Sequence, residues 1–327
     1  MARLPSLIPH WRNLAFATPM ALAAVGLGFL AQGIVARPSS LDGPLLQAML
    51  ESPPPHTTVK ETARDEVRGV RAERSTAAAD PLSLVEPELG SPLALEIRVA
   101  VVRQADAVTV SASGPWWLRR RDGTVLRQGA AREPMRLGLA EALPAELWLE
   151  SSGNAAVVVD GIAYQGRLRL LPQADGLLVV NHLPLEAYVA SVVGAEMPSS
   201  WNMEALKAQA VAARSYALAH MARPASRHWH LGNSTRRQAY RGLASSTERT
   251  RAAARATAGL ILSYQGGIVE SLYAATSRIS WEAHGQLGAS MSQHGAQDLA
   301  SSGQRYNQIL GHYYRGASLA RLRQGNG

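Results

Sequence analysis

The chain has 327 residues, 46% of them hydrophobic, and a formal net charge of +8. This length allows one large domain or two modest ones with a buried core, and the basic balance favours polyanionic partners. The absence of cysteine excludes disulfides and cysteine-ligated zinc, and no RNP, KH or zinc-finger signature points to nucleic acid as a partner.

The first 36 residues predict a membrane segment. Arg3 and Arg12 precede an apolar run from Leu14 to Ala36, which is long enough to span a bilayer. Residues 31–33 resemble a signal-peptidase site, so residues 1–36 are either a retained membrane anchor or a cleaved signal peptide. The predicted location is the cell envelope, outside the cytoplasm, anchored by residues 14–36 or secreted.

Residues 37–91 predict a linker, because they are rich in Pro, Ser, Ala and charge and lack sustained apolar periodicity. Sequence patterns typical of a folded domain begin at Leu93. Residues 92–180 predict a β-rich part with a turn at residues 121–124. The predicted strands are 93–102, 108–110, 147–150, 155–159, 168–171 and 177–182.

Residues 181–318 predict a mainly helical part, followed by a tail at 319–327, so the fold class is α+β with an N-terminal membrane helix. Pro184 suits the first turn of a helix. Along this helix one apolar face is formed by residues three and four apart. Its members are Leu185, Tyr188, Val189, Val192 and Val193.

Glu196 continues that apolar face, next to Met197 and just before Pro198. We expect its carboxyl to be partly buried, which raises its pKa and favours the protonated form that general acid catalysis requires. The alternative is that Glu196, at the end of the helix, turns out to solvent.

A second helix is predicted from Met203 to about Met221, with Asn202 as its N-cap. Glu204 lies in its first turn, a common electrostatic preference. Lys207 and Arg214 share a face of this helix, and the pattern alone predicts that this face is solvated.

The segment from Asn181 to Ala219, NHLPLEAYVASVVGAEMPSSWNMEALKAQAVAARSYALA, strongly resembles the core of the SpoIID/LytB family. Two shorter segments agree, QAYRG at 238–242 and SMSQHGAQ at 290–297, as does the closing YNQILGHYYRG at 306–316. One departure is a shortened region at 278–288, where part of the usual substrate cleft is expected to be missing.

The resemblance implies an enzyme that cleaves denuded peptidoglycan glycan strands as a lytic transglycosylase, without a cofactor. Glu196 matches the family's catalytic glutamate. The residues that match substrate-binding motifs are Arg214, Lys207, Tyr240, Gln238, Ser292 and Gln293. For Tyr240, Ser292 and Gln293 a role in holding loops is the alternative.

A different class of function stays open, a non-catalytic glycan-binding module that recruits or enhances a cell-wall amidase. The shortened region favours this module, whereas Glu196 and Arg214 favour the enzyme. A third alternative is a basic surface protein that grips anionic polymers without shape selectivity.

Histidines raise the question of a metal site. His228-Trp229-His230, with His220, lacks acidic or cysteine partners at metal-ligand spacing, and the same holds for His284 and His294. We therefore predict no metal, and surface histidines that flank a stacking or gap-filling tryptophan.

Overall fold

The structure is a computed structural model that describes residues 82–88, 90, 93–140, 142–233, 238–275 and 290–322. The predicted anchor or signal peptide, most of the predicted linker and the shortened region at 278–288 lie outside the described residues. Across the part of the chain that is described, no helix is both long enough and apolar enough to cross a membrane.

The first half is built from strands, as predicted. They are β1 Glu96–Ala105, β2 Ala107–Ala112, β3 Trp116–Arg120, β4 Val125–Gly129, β5 Met135–Gly138, β6 Leu147–Ser151, β7 Val157–Val159, β8 Ile162–Tyr164, β9 Arg167–Gln173 and β10 Gly176–Pro184. The sequence missed β3, β4, β5 and β8, although the predicted turn at 121–124 does connect β3 to β4.

The second half mixes helices and short strands. Its helices are α1 Leu185–Glu196, α2 Met203–Ala222, α3 Glu248–Ala256, α4 Gln293–Ser301 and α5 Tyr306–Tyr313. Its strands are β11 Leu231–Gly232, β12 Leu260–Tyr264, β13 Gly267–Ile268, β14 Leu272–Ala274, β15 Ser290–Ser292 and β16 Ser318–Arg321. The α+β class is confirmed.

A seven-stranded sheet with the order β11-β1-β10-β9-β6-β3-β4 is the largest layer. Its pairs are antiparallel except for β1 with β11, and a four-stranded sheet, β5-β2-β7-β8, stands beside it. Along each strand alternate side chains point to opposite faces, so one face supplies the core. Its buried residues include Trp116, Leu118, Leu147, Leu149, Leu168 and Leu170.

Helix α2 lies at the centre of the helical layer and packs against α1, α3, α4 and α5. Seven of its fourteen buried residues are alanines, which allow neighbouring helices to approach closely. Asn202 caps it as predicted, since the side-chain oxygen accepts the Glu204 N–H at 3.0 Å. The central position of α2 explains why residues along its whole length reach different parts of the fold.

Three boundaries differ from the sequence prediction. Pro184 is the N-cap of α1 rather than part of its first turn, because β10 continues up to this residue. Strand β16 pairs with β12 and so takes Ser318–Arg321 into the fold, where a tail was expected from 319. The end of the predicted linker is also packed, because the Leu84 N–H donates to the Asn307 carbonyl at 3.3 Å.

Candidate functional site

Glu196 is the last residue of α1, and the buried face of that helix leads directly to it. All five predicted apolar residues of this face are buried, and Glu196 itself is half-buried. Met197 follows as the helix C-cap, with a backbone N–H that still donates to the Val193 carbonyl at 2.9 Å. The carboxyl therefore stands at the edge of the core, in contact with both protein and the outside.

Two distant segments donate hydrogen bonds to the Glu196 carboxyl. The backbone N–H of Ala239 donates to Oε1 at 2.8 Å, and Nε2 of Gln293 donates to Oε2 at 3.4 Å. The fold thus brings together the end of α1, the 238–242 segment and the start of α4, three of the segments that the sequence analysis singled out.

Burial is the main influence on the Glu196 carboxyl, and it raises its pKa above the ordinary glutamate value. The Ala239 N–H, the Gln293 amide and the positive charge of Arg241 act in the opposite direction without cancelling the effect. Since Oε1 receives the shorter hydrogen bond, Oε2 is the oxygen better placed to hold a proton. The arrangement matches the expected buried acid.

Close packing against α1 places the 238–245 segment beside Glu196. The Ser191 hydroxyl donates to the Gly242 carbonyl at 2.7 Å. A side chain at Gly194 would collide with the Ser245 carbonyl, so this position of the helix needs glycine for the close approach. Small residues on α1 therefore fix where Ala239 and Arg241 stand.

Gln238 joins two tyrosines below the carboxyl. Its Oε1 accepts the Tyr188 hydroxyl at 2.8 Å, and its Nε2 donates to the Tyr273 hydroxyl at 2.9 Å. Burial, with the charge of Glu196 as a further cause, raises the pKa of both tyrosines well above the ordinary value. Both phenols therefore stay neutral, and fully buried Gln238 is a supporting residue.

Tyr240 and Ser292 also lie inside the protein. The Tyr240 ring packs on Tyr188, with centroids 5.1 Å apart, and its hydroxyl donates to Asn181 Oδ1 at 2.6 Å. Ser292 caps α4, since its hydroxyl accepts the Gly295 N–H at 3.0 Å. Both are buried, so the structure favours the loop-holding alternative over direct sugar contact.

Arg214 departs furthest from the sequence expectation. Its side chain is 0% exposed, so it is not on a solvated face. Its Nε and Nη2 donate to the two oxygens of Glu186 at 2.9 and 2.7 Å, and Nη1 donates to the Leu260 carbonyl at 3.0 Å. With its donors engaged inside the protein, Arg214 braces α1, α2 and β12.

Lys207, seven residues earlier on α2, stands in a different setting. Its amine pairs with Glu204 at 2.7 Å and lies 5.9 Å from the centre of the Tyr306 ring. The second oxygen of Glu204 accepts the Tyr306 N–H at 2.9 Å. Lys207 therefore links α2 to α5, and its partners are separate from those of Arg214.

Residues 173–264 match the family model described as stage II sporulation protein, SpoIID. The chain therefore contains a SpoIID segment. The chain is 38% identical over 118 residues to an uncharacterized protein of Brachyspira hyodysenteriae, which covers 36% of this chain and 32% of that protein. It is 57% identical over 37 residues to stage II sporulation protein D of Bacillus subtilis, 11% of each chain.

The chain thus spans about a third of the first relative and about a tenth of the second. The matched SpoIID segment holds Glu196, Arg214 and the 238–242 motif, whereas Ser292 and Gln293 fall after it. The SpoIID match over this segment indicates a function related to the cell wall.

Sequence reasoning missed Arg241 in the SpoIID site. It is exposed, yet close enough to Glu196 for its charge to lower the pKa of the carboxyl. Trp201 follows Glu196 by five residues, and the exposed His294 is next to Gln293. Their rings meet edge to face, with centroids 4.9 Å apart. Arg241 lies inside the QAYRG motif at 238–242, but nothing in one sequence distinguishes it from other exposed arginines.

The other histidines have local partners. Nε2 of His230 accepts from Arg98 Nε at 2.9 Å, and burial together with Arg98 lowers the pKa of His230 to about 3. Trp229 covers a small buried cluster on the outer face of the large sheet, a gap-filling role. His220 lies 3.2 Å from Glu270. His284 lies outside the described residues, within which no group of three or more potential ligands could hold a metal.

Two open cavities of the described SpoIID structure lie elsewhere. One of about 490 Å³ adjoins Glu96, His182 and the start of α1, and the other, of about 570 Å³, lies on the outer face of the large sheet. Neither is lined by Glu196. Tyr273 and Gln293 lie just before and just after residues 276–289. Gln293 donates to Glu196, and Tyr273 accepts from Gln238 near it.

Proposed function

We propose that this SpoIID domain cleaves denuded peptidoglycan glycan strands as a lytic transglycosylase, with Glu196 as the single general acid and base. The observation that carries the proposal is the half-buried Glu196 carboxyl, whose pKa is raised by burial and whose Oε1 is fixed by the Ala239 N–H. A carboxyl held in this way is protonated over a wider pH range than a free glutamate.

The proposed first step is protonation of the leaving glycosidic oxygen. The proton on Oε2 moves to that oxygen as the bond from the anomeric carbon breaks, and the sugar gains oxocarbenium character. Glu196 becomes a carboxylate, and the nearby positive charge of Arg241 stabilises it.

In the second step the same carboxylate takes the proton from the sugar's own C6 hydroxyl. The C6 oxygen then bonds to the anomeric carbon, which closes a 1,6-anhydro ring and restores the protonated Glu196. One C–O bond breaks and one forms, and water is not consumed. Because the substrate supplies the nucleophile, the second carboxylate of most glycosidases is not needed.

The other residues of the site act by position. Gln293 orients the proton-bearing oxygen, and Gln238 fixes the hydroxyls of Tyr188 and Tyr273, on which the charge of Glu196 acts. Arg214 and Lys207 are proposed as positioning residues, because their partners are carboxylates of the protein itself. Arg241, which is exposed, replaces Arg214 as the proposed contact for a muramic acid carboxylate.

A non-catalytic module that recruits or enhances a cell-wall amidase is the second candidate. It is favoured by the two open cavities, neither of which contains Glu196. In either case we propose that the chain acts in the cell envelope, outside the cytoplasm, and that residues 14–36 anchor or export it.

The test is incubation of the full chain in detergent with peptide-free glycan strands, followed by mass spectrometry for 1,6-anhydro-muramic ends. We expect these ends from the wild type and from Glu248→Gln, a control at an exposed carboxylate of α3, but not from Glu196→Gln. A folded wild type that binds strands without forming anhydro ends would overturn the proposed transglycosylase activity. If that same chain stimulated an added amidase, the result would support the second candidate, the non-catalytic module that recruits or enhances a cell-wall amidase.

A further inference from the structure

The solvent-facing side of the seven-stranded sheet carries a row of arginines around a tryptophan. A solvent-facing sheet side more often carries mixed polar residues. Arg119, Trp148 and Arg169 are direct neighbours in register across β3, β6 and β9. The opposite face of these strands is the core, with Leu118, Leu147 and Leu170. The row is therefore a property of one sheet face and not of a flexible loop.

The tryptophan ring is held in place by neighbouring charged side chains. The Arg167 guanidinium lies 4.4 Å from the centre of the Trp148 ring, and that of Arg169 lies 5.7 Å away. The ring nitrogen donates to Glu146 Oε1 at 2.8 Å, and Arg169 pairs with Glu146 Oε2 at 2.6 Å. These contacts fix the ring before any ligand arrives, which lowers the entropy cost of binding.

The groove over this row has a volume of about 570 Å³ and an excess of positive charge, with five arginines against two glutamates. Arg167 and Arg119 share Glu150, at 3.7 and 3.4 Å. Arg120 and Arg121 are exposed and form no ion pair within 4 Å among the described residues, although their charges interact with the carboxylates of Asp122 and Glu146. Guanidinium groups in this state can take the carboxylates of a ligand through paired hydrogen bonds.

We propose that this groove is a second glycan-binding site, which holds a carboxylate-bearing glycan strand away from Glu196. The Trp148 ring offers an apolar platform to a sugar ring, and Arg120 and Arg121 offer paired donors to lactyl carboxylates of the strand. The choice of polymer rests on the proposed function, but the site does not depend on cleavage at Glu196. Such a site would keep the domain on a strand while successive bonds reach the acid.

The inference is tested in full-length chain that carries Glu196→Gln, so that binding is measured without turnover. The probe is fluorescently labelled peptide-free glycan, followed by anisotropy in detergent. The first variant, Arg120→Ser with Arg121→Ser, removes two exposed charges at a turn. The second, Trp148→Leu, removes the platform. The matched control, Arg136→Ser with Arg315→Ser, removes two exposed charges that do not line the groove.

We expect the dissociation constant to rise about tenfold or more in each groove variant, because the arginine variant loses charge-assisted hydrogen bonds and Trp148→Leu loses an aromatic contact surface. The control should keep wild-type affinity. Neutral chitin oligosaccharides, which have the same backbone without lactyl groups, should compete at least about tenfold less well than unlabelled strands.

Wild-type affinity in both groove variants would overturn the inference. So would single-stranded DNA that competes as well as the strands and depends on the same arginines, because the groove would then recognise charge and not sugar. Failure of anhydro product in the separate cleavage assay would leave this binding result unchanged, so the two proposals can fail independently.

Discussion

Arg214 on α2 and Glu186 on α1 form a two-point ion pair, with Nε to Oε1 at 2.9 Å and Nη2 to Oε2 at 2.7 Å. The Arg214 side chain is 0% exposed, whereas Glu186 is 32% exposed. Glu186 lies in the first turn of the helix that ends at Glu196. The pair therefore ties that helix to α2 at the centre of the fold.

Substitution of Arg214 should therefore cost stability. Its loss leaves the partly exposed Glu186 unpaired and removes the donor that the Leu260 and Ala254 carbonyls have in Arg214, and such combined changes cost about 3–5 kcal/mol. We expect Arg214→Gln to lower the free energy of unfolding by that order, measured by urea denaturation. Lys207→Gln, which breaks a partly exposed pair, should cost about 1 kcal/mol or less.

A substrate-binding role for Arg214 makes a different prediction. In that case Arg214→Gln would keep wild-type stability and raise only the substrate concentration needed for half-maximal rate. Denaturation and kinetics on the same preparation separate the two roles.

These contacts mark the limit of what the sequence could predict. The apolar spacing from Leu185 to Val193 predicted α1 and the burial of Glu196, because a helix period is a local property of the chain. The partner of Arg214 is not local, and a solvated face was the natural expectation for two cations seven residues apart. Strand β3 was missed because its sequence does not alternate between apolar and polar residues. Trp116 and Trp117 point to opposite faces of the sheet although they are the same residue type.

Glu196 predicts a pH-dependent difference between the wild type and Glu196→Gln. A carboxyl whose pKa is raised in the folded state favours folding at low pH, and that contribution is lost as pH rises through the folded pKa. The stability of Glu196→Gln relative to the wild type should therefore increase from pH 4 to pH 8. Urea unfolding at both pH values measures it, and an unchanged difference would place the carboxyl in an ordinary solvent setting.

Arg241 should set the alkaline side of the activity profile. Its positive charge lowers the pKa of Glu196, so Arg241→Gln should raise that pKa further and extend the protonated acid to higher pH. We expect the pH–rate curve for anhydro product to shift upward in pH, with weaker strand binding. Arg241→Lys keeps the charge and should restore the wild-type curve. A shift of the curve to lower pH would contradict the proposed relation.

Tyr240 offers a test of support against substrate contact. Tyr240→Phe removes the partner of the buried Asn181 Oδ1, whose Nδ2 still donates to the Gln165 and Arg167 carbonyls. We expect a loss of about 1–3 kcal/mol in unfolding free energy, with wild-type turnover per folded molecule. Tyr264→Phe, at an exposed tyrosine, should change neither quantity. Lost turnover at wild-type stability would instead make Tyr240 a sugar contact.

The packed end of the predicted linker gives a last prediction. Residues 82–88 lie on α5, where Asn307 Nδ2 donates to the Leu84 carbonyl at 3.0 Å and a side chain at Gly311 would collide with the Leu82 carbonyl. Gly311→Ala should displace this segment, so that a glutamyl endopeptidase cleaves faster after Glu86 and Glu88. Gly267→Ala, whose added carbon meets only an ordinary contact at 3.5 Å, should be cleaved at the wild-type rate. Equal cleavage of both variants would mean that the segment does not depend on α5, and truncation at residue 91 would then leave the domain intact.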